Sequence, residues 1–225
     1  MDLLYLLRVL FKRKWLLLIL SAVAGILTFL FVFLKKDNYE SVAQYSTGFT
    51  EEKIRLADGT TAVDLFTADS KFNNVIETFR SPRVIGMLSY KLLLHDLSSS
   101  PAIAFRRKGE DEIKKISDKL TADSVKEVLR TKIEKSQLIS TTNVAEKDIY
   151  EILKLYKYDY TSLNKNLSIS RVARTDYLNI VFTSENAELS AYVVNTLGAE
   201  FLNYYQTLNS ERSQINAGNI QALIS

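Results

Sequence analysis

The feature that most constrains this chain is the run of twenty residues at 15–34, which contains no charged side chain. At about 1.5 Å per residue, a helix of this length spans about 30 Å, the thickness of the hydrocarbon core of a bilayer. A cleaved signal peptide is also basic and then apolar, but its apolar region is usually shorter and ends at a small-residue cleavage site. Here the run closes with Phe33 and Leu34 before two lysines. The sequence therefore predicts a retained transmembrane helix at 15–34.

The charges on either side of this segment predict its orientation. Four basic residues precede it, namely Arg8, Lys12, Arg13 and Lys14. The lysines that follow it are soon accompanied by the acidic residues Asp37 and Glu40. Because basic flanks stay on the cytoplasmic side, we expect 1–14 to be a cytoplasmic amphipathic N-terminus and the residues after 34 to lie outside the cytoplasm.

Composition argues against several classes of function. The formal net charge is only +3 and charged residues are spread along the chain, so we expect no nucleic-acid partner. The chain has no cysteine, and His95 is its one histidine, which argues against thiolate or multi-histidine metal sites. The seven glycines are isolated, so no phosphate-binding loop is formed. We therefore expect no catalytic residue, no metal and no cofactor.

The residues after the apolar segment predict an α/β domain at 35–185. Alternating apolar and polar residues indicate strands at 39–49, 167–172 and 177–183, the last two joined by a short turn. Apolar residues at helical spacing indicate helices that start at Asp69 or Ser70, at Pro82, and over 110–117, 121–136 and 145–157.

The last segment, 186–225, has the most regular apolar spacing beyond the transmembrane segment. Ser184 or Asn186 can cap a helix here, and no proline interrupts it, so we expect one helix of about 40 residues and roughly 60 Å that is cut within the element. The expected fold class is α+β, with a single N-terminal transmembrane helix, an α/β membrane-proximal extracytoplasmic domain and a long protruding C-terminal helix.

Two groups of residues are candidates for binding. Ser21, Gly25 and Thr28 would let another membrane helix approach closely, although a chance glycine in a lipid-facing helix explains them equally well. Arg106, Arg107 and Lys108 form a basic step that is a candidate polyanion contact, with a solvated loop as the plainer interpretation.

Four tyrosines follow this step: Tyr150, Tyr156, Tyr158 and Tyr160. Such rings can stack on sugars, but packing against a neighbouring helix or subunit is the interpretation we favour.

Three separated stretches resemble one protein family. Residues 2–18, DLLYLLRVLFKRKWLLL, resemble the N-terminus of the Wzz-type chain-length determinants, also called polysaccharide co-polymerases. The motif SPRVIGML at 81–88 and the stretch SENAELSAYVVNTLGAEFLNYY at 184–205 are similar to further parts of that family, in the same order. Residues 98–160 have no counterpart that we can align, and their role stays open.

The resemblance implies a function. Members are non-catalytic scaffolds that form ring-like homo-oligomers and govern how far a surface polysaccharide grows, together with a polysaccharide polymerase or export channel. The nascent polysaccharide and membrane lipid are further expected partners. The resemblance implies a bacterial inner membrane protein with a periplasmic main domain, and in a longer parent chain a second transmembrane helix and, in some members, a cytoplasmic tyrosine kinase. The alternative is the ligand-sensing extracytoplasmic domain of a membrane receptor.

Overall fold

The computed structural model of the chain describes residues 14–34, 37–48, 65–116 and 120–224. The chain divides into two compact units, Met1–Asn38 and Tyr39–Ser225. Of the predicted amphipathic segment at 1–14, residues 1–13 lie outside the described residues.

Helix α1, Lys14–Leu34, is the described element of the first unit. The large apolar side chains that the structure describes in this helix, among them Trp15, Ile26 and Phe31, are exposed. Among the helices in the described ranges, none qualifies as long and apolar enough to be a membrane span. The helical state predicted for 15–34 is confirmed, and its membrane location stays a prediction.

The second unit contains a three-stranded antiparallel sheet with the strand order β1-β3-β2. The strands are β1 Tyr39–Ser46, β2 Leu167–Arg171 and β3 Tyr177–Ser184. The predicted β2–β3 hairpin is confirmed, and Arg174 adopts a φ of 63° in its turn. The expectation that β1 continues to residue 49 is wrong, because the strand ends at Ser46 and Gly48 turns the chain with a φ of 68°.

Six helices lie between β1 and β2 in the described part of the chain. They are α2 Leu65–Phe79, α3 Pro82–Ser98, α4 Glu110–Lys114, α5 Ala122–Glu134, α6 Val144–Leu155 and α7 Tyr160–Lys165. The hydroxyls of Ser81 and Thr121 and the carboxylate of Asp159 cap α3, α5 and α7, each by accepting a hydrogen bond from a backbone N–H of the first turn.

Two of these helices, α5 and α6, end two residues before the predicted 136 and 157, and three others differ from the prediction more strongly. α2 begins at Leu65 rather than at Asp69 or Ser70, and Asp69 lies one turn inside it, where its carboxylate pairs with Arg171. α4 ends at Lys114 instead of residue 117, because the N–H of Ile116 bonds to the carbonyl of Ile113 and tightens the last turn. α7 was not predicted, since its six residues are too short to show a helical period.

Helix α8, Ala187–Ile224, confirms the predicted long helix. Asn186 caps its start, because the Oδ1 atom of Asn186 accepts hydrogen bonds from the N–H groups of Glu188 and Leu189. At about 1.5 Å per residue, its 38 residues extend for about 57 Å. One face of its first four turns is buried: Leu189, Val193 and Leu197 belong to one core with the inner face of the sheet and with α3. From Phe201 onward its described side chains become half-buried or exposed.

Candidate functional site

The predicted basic step is split by the fold. Arg106 is only 12% exposed at its side chain and is held by Glu185, with Nε donating to Oε1 at 2.7 Å and Nη2 donating to Oε2 at 3.1 Å. Its Nη1 donates to the carbonyls of Tyr156 and Lys157, and its guanidinium lies 4.8 Å from the centre of the Tyr158 ring. This arginine therefore joins the chain segments around it.

A buried carboxylate organises the loop that carries the step. Asp96, near the end of α3, accepts hydrogen bonds from the backbone N–H groups of Phe105 and Arg106 and from the hydroxyl of Tyr158. The Nδ1 atom of His95, in the last turn of α3, lies 3.2 Å from the same carboxylate. The sequence did not reveal these contacts, because Asp96 and Tyr158 are 62 residues apart.

Titration of this cluster follows from its burial. Burial first, and the Asp96 carboxylate second, raise the pKa of Tyr158, so this phenol stays a hydrogen-bond donor. Burial also raises the pKa of Tyr156 to about 12. The hydrogen bonds from Arg106 lower the pKa of the Glu185 carboxyl, which keeps it ionised beside the guanidinium. The cluster is a structural tie that joins the loop at 105–106 to Asp96 and Tyr158.

The two other residues of the basic step lie at the surface. Arg107 is exposed, and Lys108 forms an ion pair with Glu112 at 3.3 Å. The polyanion contact stays a prediction, now carried by these two side chains because Arg106 is engaged with Glu185.

The predicted packing residues of the apolar helix lie within α1. The hydroxyls of Ser21 and Thr28 donate to the carbonyls of Leu18 and Ala24 in their own helix. A Cβ placed on Gly25 would meet no atom within 4 Å. Helix packing at these three positions stays a prediction.

The tyrosines are mostly packed, as we favoured from the sequence. Tyr156 and Tyr158 belong to the buried core, and Tyr150 packs against that core half-buried. The hydroxyl of Tyr160 donates to the carbonyl of Arg80.

Two surface features around α8 were missed from the sequence. The first, which we call the α8 groove, is a cavity of about 160 Å³ lined mainly by apolar and aromatic side chains, including Tyr45, Val75, Phe79, Phe201, Leu202 and Tyr205. The second, which we call the Arg83 cleft, is a polar cavity of about 40 Å³ lined by Arg83, Val84, Met87, Ser136, Glu200, Asn203, Tyr204 and Thr207. Neither has a local sequence signal, because each gathers residues from separate elements.

A metal centre has no support in the residues described. No group of three or more histidine, cysteine, aspartate or glutamate side chains in those ranges is placed to hold a metal ion. The buried acidic residues Asp96 and Glu200 are engaged with donors of their own chain. The surfaces around α8 are therefore the features that suit binding.

Comparison with known protein families gives a match over the N-terminal part of the chain. Residues 1–92 match the Wzz family model, described as chain length determinant protein. The predicted resemblance to the Wzz-type family is confirmed. The Wzz match extends from the N-terminus through α1, β1 and α2 to Leu92 within α3. No curated protein and no solved structure shows significant similarity to the chain.

Proposed function

We propose that this chain is a membrane-anchored, non-catalytic scaffold that regulates the length or the export of a bacterial surface polysaccharide. The observation that carries this proposal is the Wzz family match over residues 1–92. The geometry is in keeping with it, since the clusters of polar side chains in the described residues are tied into the fold and leave no constellation suited to catalysis.

The membrane anchor in this proposal is α1. The residues from 15 to 34 carry no charge, and the apolar side chains described for this helix are exposed, as Leu18, Phe29 and Leu34 illustrate. Transfer of such side chains from water into lipid is favourable by about 25 cal/mol per Å² of apolar surface. The basic residues before the segment support a cytoplasmic N-terminus, an inner-membrane location and a periplasmic main domain.

Extraction of isolated membranes at alkaline pH tests this anchor. An integral membrane protein stays in the membrane pellet, whereas a peripheral one is released. We expect the chain to stay in the pellet, and a variant with Ile19→Asp and Ile26→Asp to be released. Release of the unmodified chain would remove the anchor from the proposal.

The scaffold role also requires self-association, and the α8 groove supports it. Leu202 is 51% exposed and Tyr205 is 38% exposed, beside the half-buried Phe201. Tyrosine and other aromatic side chains are enriched at the centres of protein interfaces. We propose that this face meets a second copy of the chain and that the resulting homo-oligomer works with a polysaccharide polymerase or an export channel.

Deletion of the parent gene tests the function itself. We expect the deletion strain to change the length distribution or the yield of its surface polysaccharide when the polymer is sized on a gel. Expression of the whole parent gene from a plasmid is expected to restore both. An unchanged length distribution and yield in the deletion strain would refute the proposed function.

A further inference from the structure

The Arg83 cleft brings together side chains from three elements. Arg83 lies in the first turn of α3, and its guanidinium lies 5.4 Å from the centre of the Tyr204 ring on α8. Glu200, Asn203 and Thr207 follow on the same face of α8, because residues three and four apart are neighbours on a helix. Ser136 completes the cleft from the turn after α5, where its φ is 49°.

The cleft carries a positive charge that the described residues do not neutralise. Glu200 has a side chain only 8% exposed, and it forms an ion pair with Lys91. The negative charge of Glu200 and the positive charge of Lys91 therefore cancel each other. Arg83 takes part in none of the ion pairs formed by the described residues. Its guanidinium lies over the uncharged ring of Tyr204. An anionic group would therefore complement the cleft.

The size of the cleft limits what can enter it. Its volume is about 40 Å³, and one water needs about 10–15 Å³ of cavity measured in this way. A carboxylate fits such a space, whereas a complete sugar ring does not. The ring of an acidic sugar would remain at the mouth of the cleft, where Asn203 and Thr207 are exposed and Tyr204 is half-buried.

We propose that the Arg83 cleft binds the carboxylate of an acidic sugar unit in the polysaccharide on which this chain acts, an inference that rests on the proposed function. The Arg83 guanidinium donates charge-assisted hydrogen bonds to the carboxylate oxygens. The amide of Asn203 and the hydroxyls of Ser136 and Thr207 bond to the hydroxyls of the sugar. The Glu200–Lys91 pair adds no net charge beside the cleft.

Calorimetric titration of the full chain in detergent micelles tests this site. The acidic probe is a tetrasaccharide of alternating N-acetylglucosamine and glucuronate, the neutral probe is a tetramer of N-acetylglucosamine, and acetate is the free carboxylate. We expect the acidic tetrasaccharide to bind more tightly than either of the other probes. Arg83→Gln is expected to weaken this binding about tenfold, because it removes a charged hydrogen-bond donor.

Two further variants keep the test decisive. Arg130→Gln changes an exposed arginine of α5 that does not line the cleft, and we expect it to leave the affinity unchanged. Asn203→Asp adds a negative charge at an exposed position of the cleft, and we expect it to weaken binding without unfolding the chain.

Several results would overturn the site. The site is refuted if the acidic tetrasaccharide does not bind, or if it binds no more tightly than the neutral tetrasaccharide or acetate. It is also refuted if the Arg83→Gln variant binds the acidic tetrasaccharide with unchanged affinity. The titration and the gene deletion test different claims. Unchanged polysaccharide in the deletion strain refutes the proposed function without altering the calorimetry. A failed titration refutes the carboxylate site and leaves length regulation in place.

Discussion

Tyr45 of β1 lies directly against Gly198 of α8. The Tyr45 hydroxyl donates to the carbonyl of Val194 at 3.2 Å, one helical turn before the glycine. A Cβ added at Gly198 would lie 1.9 Å from the oxygen of that hydroxyl and 2.3 Å from the ring carbon that bears it. The absence of a side chain at position 198 therefore permits the strand and the long helix to pack this closely.

Gly198→Ala is expected to destabilise the protein despite the helix preference of alanine. Alanine favours a helix over glycine by about 1 kcal/mol. Overpacking of a close contact costs about 1–3 kcal/mol and here displaces the ring of Tyr45. We expect a net loss in the free energy of unfolding, measured by chemical denaturation. Gly109→Ala, where a Cβ meets nothing within 4 Å, is the control and is expected to cost far less. A Gly198→Ala variant more stable than the parent would contradict this packing.

Arg106 and Arg107 are expected to behave differently when each is replaced by alanine. Arg106→Ala removes the hydrogen bonds to Glu185 and to two backbone carbonyls. A hydrogen bond to a charged group contributes about 1.5–3 kcal/mol to the free energy of unfolding, and the exposure of Glu185 to solvent lowers this contribution. Arg107 is exposed, and such substitutions usually change stability by less than about 0.5 kcal/mol. Thermal unfolding of the two variants measures the difference. Equal melting temperatures would show that Arg106 does not tie the loop.

Stability should depend on pH through Glu185. Its pKa in the folded state lies below the usual 4.5, chiefly because of the hydrogen bonds from Arg106. The ionised carboxylate therefore stabilises the fold at neutral pH, and this contribution is lost as the pH falls through the folded-state pKa.

Glu185→Gln tests this dependence. We expect the difference in the free energy of unfolding between parent and variant to be largest at pH 7 and to shrink as the solution is acidified. Glu127→Gln, which changes an exposed residue of α5, should show no such trend. A difference that stays constant between pH 7 and the acid range would exclude the ion pair as its source.

Self-association through the α8 groove is expected to depend on Leu202. Leu202→Asp places a charge in a face that we propose is buried between copies, where an unpaired charge is strongly unfavourable. We expect cross-linking in native membranes to yield mainly monomers for this variant. Thr207→Asp, at an exposed position of α8 that lines the Arg83 cleft and not the α8 groove, is the control and should retain the oligomers. Oligomers that persist in Leu202→Asp would place the contact elsewhere.

Local sequence patterns were sufficient for the elements with a clear period. The hairpin of β2 and β3 and the long helix α8 follow from alternation and from helical spacing, which are properties of neighbouring residues. Local patterns did not predict α7, because its six residues are too few to show a helical period. They also did not predict the start of α2 at Leu65, because the turn before Asp69 has no cap signal that we recognised.

The sequence by itself determined the uncharged segment at 15–34, the regular elements of the α/β body and the resemblance that the Wzz family match confirms. Only the tertiary structure decided that Arg106 holds Glu185, that Gly198 receives Tyr45 and that Arg83 faces Tyr204 across a polar cleft. The physical reason is distance along the chain. A helical or strand period is set within a few residues, whereas these contacts join residues that are brought together only when α8 packs against the sheet and α3.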